Sequence, residues 1–98
     1  MKRIYRLAAM ILCASAGSAA AIDVAPPGAT ACSGCHPASQ SAGTPFTRLN
    51  GRNPAEILTA MQEFRAGKRP ATVMDRIAKG FSDEEVKAIA AWYAAQKD

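Results

Sequence analysis

Ninety-eight residues hold at most one small domain. Twelve Lys and Arg against eight Asp and Glu give a formal charge of +4, but Lys2, Arg3 and Arg6 stand in the first six positions and the other bases run from Arg48 to Lys97 with acids among them. With no repeating aromatic platform beside it, that spread excludes a nucleic-acid binder and reads as a solvated mixed-charge surface.

The three early bases precede an apolar run, Leu7 to Ala16, and then Ala19-Ala20-Ala21. This is the pattern of an export signal over residues 1–21, cleaved near Ala21, which places the mature chain in the periplasm. The uncharged stretch from Leu7 to Ile22 is 16 residues, short of the roughly 20 that a spanning helix needs, so no stable membrane insertion is expected after cleavage. Cys13 follows Leu12 rather than the small residue of a lipobox and reads as part of the apolar run. Cleavage leaves 77 residues and nine bases against eight acids. A domain of that size is near the lower limit for an apolar core alone and commonly recruits a staple.

Residues 22–29, with a Pro-Pro-Gly cluster and no periodicity, read as a loose lead-in to a domain over residues 30–98. The cysteine-containing segment follows, expected as a short helix, and then Pro37 to Pro45, whose Ser, Gly, Pro and Thr are loop composition. In the next element Asn53 is a good N-cap, Pro54 suits the first helical position, Glu56 completes a capping box and Gly67 is a stop. Ile57, Met61 and Phe64 form its apolar stripe, with Leu58 beside them. Pro70 breaks the following connection, which carries Met74 and leaves room for a turn of helix around Asp75 to Lys79 before Gly80. The last helix opens on a Ser82–Glu85 capping box flanked by Phe81 and Val86 as a hydrophobic staple. Val86, Ile89 and Tyr93 continue its stripe, and Ala90, Ala91, Ala94 and Ala95 permit close packing. No β-alternation interrupts this all-α pattern.

Cys32-Ser33-Gly34-Cys35-His36 is C-x-x-C-H, and each part has a task if the partner is haem. On a helical turn two sulfurs point to one side, where they can form thioethers with the two vinyl groups, and the next imidazole then reaches the iron. A structural zinc site wants four ligands, and only Cys32, Cys35 and His36 remain after export. A thioredoxin-like pair needs a βαβ setting that the pattern lacks. A Cys32–Cys35 disulfide suits an exported chain but closes too small a loop to stabilise much.

His36 is the only histidine, so a second axial ligand would come from Met61, Met74, Lys68 or Lys79, or the position would stay open. Met61 lies on an apolar stripe, where a methionine is usually core. Met74, in the irregular connection, is the favoured ligand. His/Met ligation fills both axial positions and favours electron transfer over binding small molecules. Ser33, Ser39 and Ser41 have no spare histidine to activate them, so no catalysis by the chain itself is expected.

The C-S-G-C-H segment, the loop ending "GTPF" and "LNGRNPAEILTAMQEFRAGKR" resemble small class I c-type cytochromes over Ala29 to Gln96. Within them, "TVMDRIAKGFSDEEVKAIAAWY" looks like the haem subunit of flavocytochrome c sulfide dehydrogenases. The resemblance implies an all-α fold of three to four helices around one covalently bound haem c. Cys32 and Cys35 would be the attachment residues, His36 the proximal ligand and Met74 the distal one. It also implies that a proline carbonyl, here that of Pro45, receives the Nδ1 hydrogen of His36, and that Trp92 or Tyr93 packs near the attachment helix. Arg48, Arg52 and Arg69 are candidates for haem propionates, with surface solvation as the plainer reading. The implied partners are a flavoprotein sulfide dehydrogenase subunit as donor and a soluble cytochrome as acceptor. The alternatives are a free carrier of the c553 or c4-like kind, and a haem-based ligand binder in which Met74 is displaced.

Overall fold

The computed structural model describes residues 24–39 and 43–96; the expected export signal lies outside them, as do the first two residues of the lead-in. Four helices follow in order: α1 (Ala29–Cys32), α2 (Pro54–Arg65), α3 (Met74–Ala78) and α4 (Asp83–Ala95). No strand occurs among the described residues, so the all-α expectation holds.

The lead-in ends in a defined turn. The Ala29 amide bonds the Pro26 carbonyl at 3.1 Å, and Gly28, at φ 87°, launches α1. Helix therefore begins at Ala29, one residue inside the segment expected to be loose. A Cβ at Gly28 would stand 2.7 Å from Cε1 of Phe81, so glycine is required both for the left-handed backbone and for the close approach of that ring.

Asn53 accepts the Ala55 amide at 2.9 Å and Pro54 takes the first position of α2. The return bond expected from Glu56 is not made; the Asn53 side chain caps the second amide of the helix instead of the third. At the other end the Gly67 amide bonds the Phe64 carbonyl at 3.2 Å and the Lys68 amide bonds that of Glu63 at 2.9 Å, a Schellman motif with Gly67 at φ 72°. In α4 the capping box is complete: Glu85 N–H donates to Ser82 Oγ at 3.2 Å, and Ser82 N–H to Glu85 Oε1 at 3.0 Å.

Ala29, Ile57, Val86, Ile89, Ala90 and Tyr93 form the buried core, with Cys32, Leu49, Leu58, Met61, Phe81 and Trp92 packed against it. Of the alanines expected to permit close packing, Ala90 is fully buried, whereas Ala91 and Ala95 are exposed. Helix α2 packs on both α3 and α4, while α1 packs on α4 alone. The backbones of α1 and α3 make no approach to each other. That separation decides what can lie between them.

Candidate haem site

Helical turns continue past the end of α1: the amides of Gly34, Cys35 and His36 bond the carbonyls of Ala31 at 3.2 Å, Cys32 at 3.2 Å and Cys32 at 2.9 Å. The whole C-x-x-C-H segment is thus held on one winding. Both cysteines are free thiols, Cys32 half-buried against the core and Cys35 exposed. The Cys32 thiol faces the Gly28 carbonyl at 3.6 Å; burial pushes its pKa up, with the backbone and Tyr93 hydrogen bonds acting in the opposite sense. Among the described residues no three His, Cys, Asp or Glu side chains converge as a metal shell, so Cys32, Cys35 and His36 do not close on one point as zinc ligands must.

The ring of His36 is fixed from its far side. Its Nδ1 is 2.5 Å from the Thr47 carbonyl. A carbonyl can only accept, so Nδ1 carries the hydrogen and Nε2 keeps the lone pair a metal needs. This partner replaces the one expected, Pro45. After Pro45 the chain turns, with the Phe46 amide on Thr44 Oγ1 at 3.3 Å, and the carbonyl that reaches the imidazole comes two residues later. Phe46 meets the imidazole edge-on, its centroid 6.3 Å away and the planes at 70°. A backbone carbonyl carries no side-chain signal, so the sequence could point to the kind of partner but not to its position.

Met74 lies elsewhere, half-buried as the first residue of α3 rather than in irregular chain. Ile77, on the same helical face three residues on, is 43% exposed, and Val73 before it 46%. Phe46 beside His36 is 43% exposed as well. Large apolar side chains therefore stand exposed beside both the imidazole and Met74, as a bound apolar group would require. The Trp92 indole N–H is buried with no acceptor among the described residues, a donor suited to a carboxylate-bearing cofactor. The donor set of two thiols, one oriented imidazole and one thioether fits a c-type haem.

Met61, the other methionine considered, packs against the core cluster. Arg69 is engaged away from the motif: it bonds Glu63 at 2.9 Å and lies over Phe64, 5.5 Å from the ring centroid. Arg52 and Arg69 line a shallow concavity on α2, with Ala55, Glu56, Thr59 and Ala60. The residue that sequence reasoning missed is Arg65, which bonds Asp83 and Phe81 across the α3–α4 connection, each at 2.8 Å. Helix-end arginines are common, and only the fold shows what this one grips.

No family model matches the chain, and no solved structure matches it. Three characterised proteins do. The cytochrome subunit of sulfide dehydrogenase from Chlorobaculum tepidum is 37% identical over 62 residues, 63% of this chain and 56% of that protein. Cytochrome c4 from Pseudomonas aeruginosa is 33% identical over 70 residues, 70% of this chain and 35% of the relative. The thiosulfate dehydrogenase electron acceptor of Stutzerimonas stutzeri is 39% identical over 67 residues, 66% of this chain and 31% of the relative. The chain thus spans between 31% and 56% of the length of the proteins it matches. In its helical fold, its C-x-x-C-H winding and these relatives the chain is similar to small class I c-type cytochromes. Within that class the chain is similar to the cytochrome subunit of sulfide dehydrogenase. Two of these relatives are cytochromes by name and the third is an electron acceptor.

Proposed function

We propose that this chain carries single electrons in the periplasm, between a sulfide-oxidising flavoprotein and a soluble cytochrome acceptor. Export follows from the basic and apolar pattern of residues 1–21, and no described helix is long and apolar enough to cross a membrane. Cys32 and Cys35 would hold one haem by thioethers, and His36 Nε2 and Met74 Sδ would ligate its iron. The bound iron supplies a one-electron couple, and His/Met ligation raises its potential. The protein's own contribution is to orient His36 through Thr47 and to set exposed apolar side chains, Phe46 beside the imidazole and Val73 and Ile77 beside Met74, around the two ligands.

The observation that carries this reading is the hydrogen bond from His36 Nδ1 to the Thr47 carbonyl, which leaves Nε2 as the free donor next to two thiols. Support for a sulfur-oxidising donor comes from two relatives, the cytochrome subunit of sulfide dehydrogenase and the thiosulfate dehydrogenase electron acceptor. A free carrier is the second reading, favoured by the similarity to cytochrome c4. Optical spectra of the protein made with haem-maturation machinery test the site: a c-type spectrum is expected, with a ferric sulfur-to-iron band that Met74→Ala abolishes. A colourless chain from a host that matures other c-type cytochromes overturns the haem reading. Co-purification with a flavoprotein separates bound subunit from free carrier.

A further inference from the structure

Helix α3 is a single turn of five residues, too short to hold its own shape, because helix nucleation is unfavourable and one turn gains few bonds. Its N-cap, Val73, offers no side-chain cap. What orients Met74 must therefore act on this turn from outside, through its packing on α2 and through its ends.

At its C-terminal end the agent is Arg65. From the last position of α2 its guanidinium donates to three acceptors: Nε to the Ala78 carbonyl at 3.5 Å, Nη2 to the Phe81 carbonyl at 2.8 Å, and Nη1 to Asp83 Oδ1 at 2.8 Å. Gln62, one turn earlier on α2, holds the second carboxylate oxygen of Asp83 at 3.1 Å. Ala78 is the last residue of α3 and fully buried, and Asp83 is the first of α4. One side chain thus ties three helices at a single joint. The planar guanidinium is suited to this because its three nitrogens spread the donors along a rigid fork; an ammonium concentrates its three on one nitrogen and cannot span the same acceptors. On the other side of the turn Arg69 draws the incoming chain to α2 through Glu63, but its side chain is more exposed, at 44% against 33% for Arg65.

We propose that Arg65 is a positioning residue for the axial thioether: by fixing the far end of α3 it keeps Met74 on the iron and so keeps small molecules off it. The inference rests on the reading of Met74 as ligand. Loss of the guanidinium loosens α3 locally, raising the fraction of molecules with Met74 detached, while the core around Val86 and Tyr93 stays folded.

The test uses the haem-loaded protein as wild type, Arg65→Met, Arg65→Lys and Met74→Ala, with Asp83→Asn as a second break of the same joint should Arg65→Met not fold. Three readouts are compared: the ferric sulfur-to-iron band during heating, the rate of carbon monoxide binding to the reduced protein, and helix content by circular dichroism. In Arg65→Met the band is expected to fade well before helix is lost, and carbon monoxide to bind on the order of tenfold faster than in wild type, the scale of a lost charged hydrogen bond. Arg65→Lys is expected to lie between. If band and helix melt together and carbon monoxide binds at the wild-type rate, Arg65 is merely structural and the inference is overturned. If wild type itself lacks the band, or Met74→Ala keeps it, the ligand assignment fails instead and the inference goes with it.

Discussion

The Tyr93 hydroxyl donates to the Ala29 carbonyl at 2.5 Å, joining residues 64 positions apart, the last helix to the first. Tyr93 is 3% exposed and Ala29 fully buried, and Trp92 packs edge-on against Tyr93 with centroids 4.9 Å apart. Helix α1 rests on α4 alone, so this bond and the ring beneath it secure the winding that carries Cys32 and His36. Tyr93→Phe keeps the ring and removes the donor, leaving a buried carbonyl one bond short. A loss of about 1–2 kcal/mol in urea unfolding is expected, with the optical spectrum of the folded protein unchanged.

Gly28 and Gly67 both lie at positive φ, 87° and 72°, yet they differ in what surrounds them. Beside Gly67 a Cβ meets nothing within 4 Å, whereas at Gly28 it meets the ring of Phe81 at 2.7 Å. Gly67→Ala is expected to cost about 1 kcal/mol, the backbone strain alone. Gly28→Ala adds a clash in the core and is expected to cost clearly more. Equal melting temperatures for the two variants would show that Phe81 gives way freely.

Much of this was legible before the fold was known, and the pattern of success is physical. Ser82 with Glu85, Asn53 with Pro54, and Gly67 act within four residues of one another, so local sequence suffices to read them, and the fold realises each. The same locality makes the C-x-x-C-H winding readable. Long-range partners were not: Thr47 displaces Pro45 as the carbonyl at His36, and Arg65 finds Asp83 across 18 positions. The sequence suggests irregular chain at Met74 because Pro70 breaks the segment, but helix resumes at Met74 itself, since four residues after the proline its steric effect is spent.

Acid should act on the joint between α2 and α4. Hydrogen bonds from Arg65 and then Gln62 hold the Asp83 carboxyl below its ordinary value of 3.8, against a smaller opposing effect of desolvation. Glu85 is likewise held low, first by the Ser82 amide and then by its hydroxyl. A carboxyl with a depressed folded pKa contributes stability that is present above its unfolded value and is lost as pH falls through the folded one. Melting temperature is therefore expected to fall below about pH 4. Asp83→Asn should lower it at neutral pH and flatten that acid limb. An unchanged limb in the variant would place the acid sensitivity elsewhere.

Two methionines remain to be told apart by experiment. Met61 belongs to the stripe of α2 that packs on the core, while Met74 opens a helix whose neighbours Val73 and Ile77 are half exposed. Leucine has nearly the volume of methionine but no sulfur, so it separates packing from ligation. Met61→Leu is expected to retain the ferric sulfur-to-iron band and to change stability by less than about 1.5 kcal/mol. Met74→Leu is expected to lose the band, to bind carbon monoxide when reduced, and to show a lower reduction potential, because a thioether ligand favours the reduced iron. Loss of the band in Met61→Leu with its retention in Met74→Leu would reverse the assignment and move the distal ligand from α3 to α2.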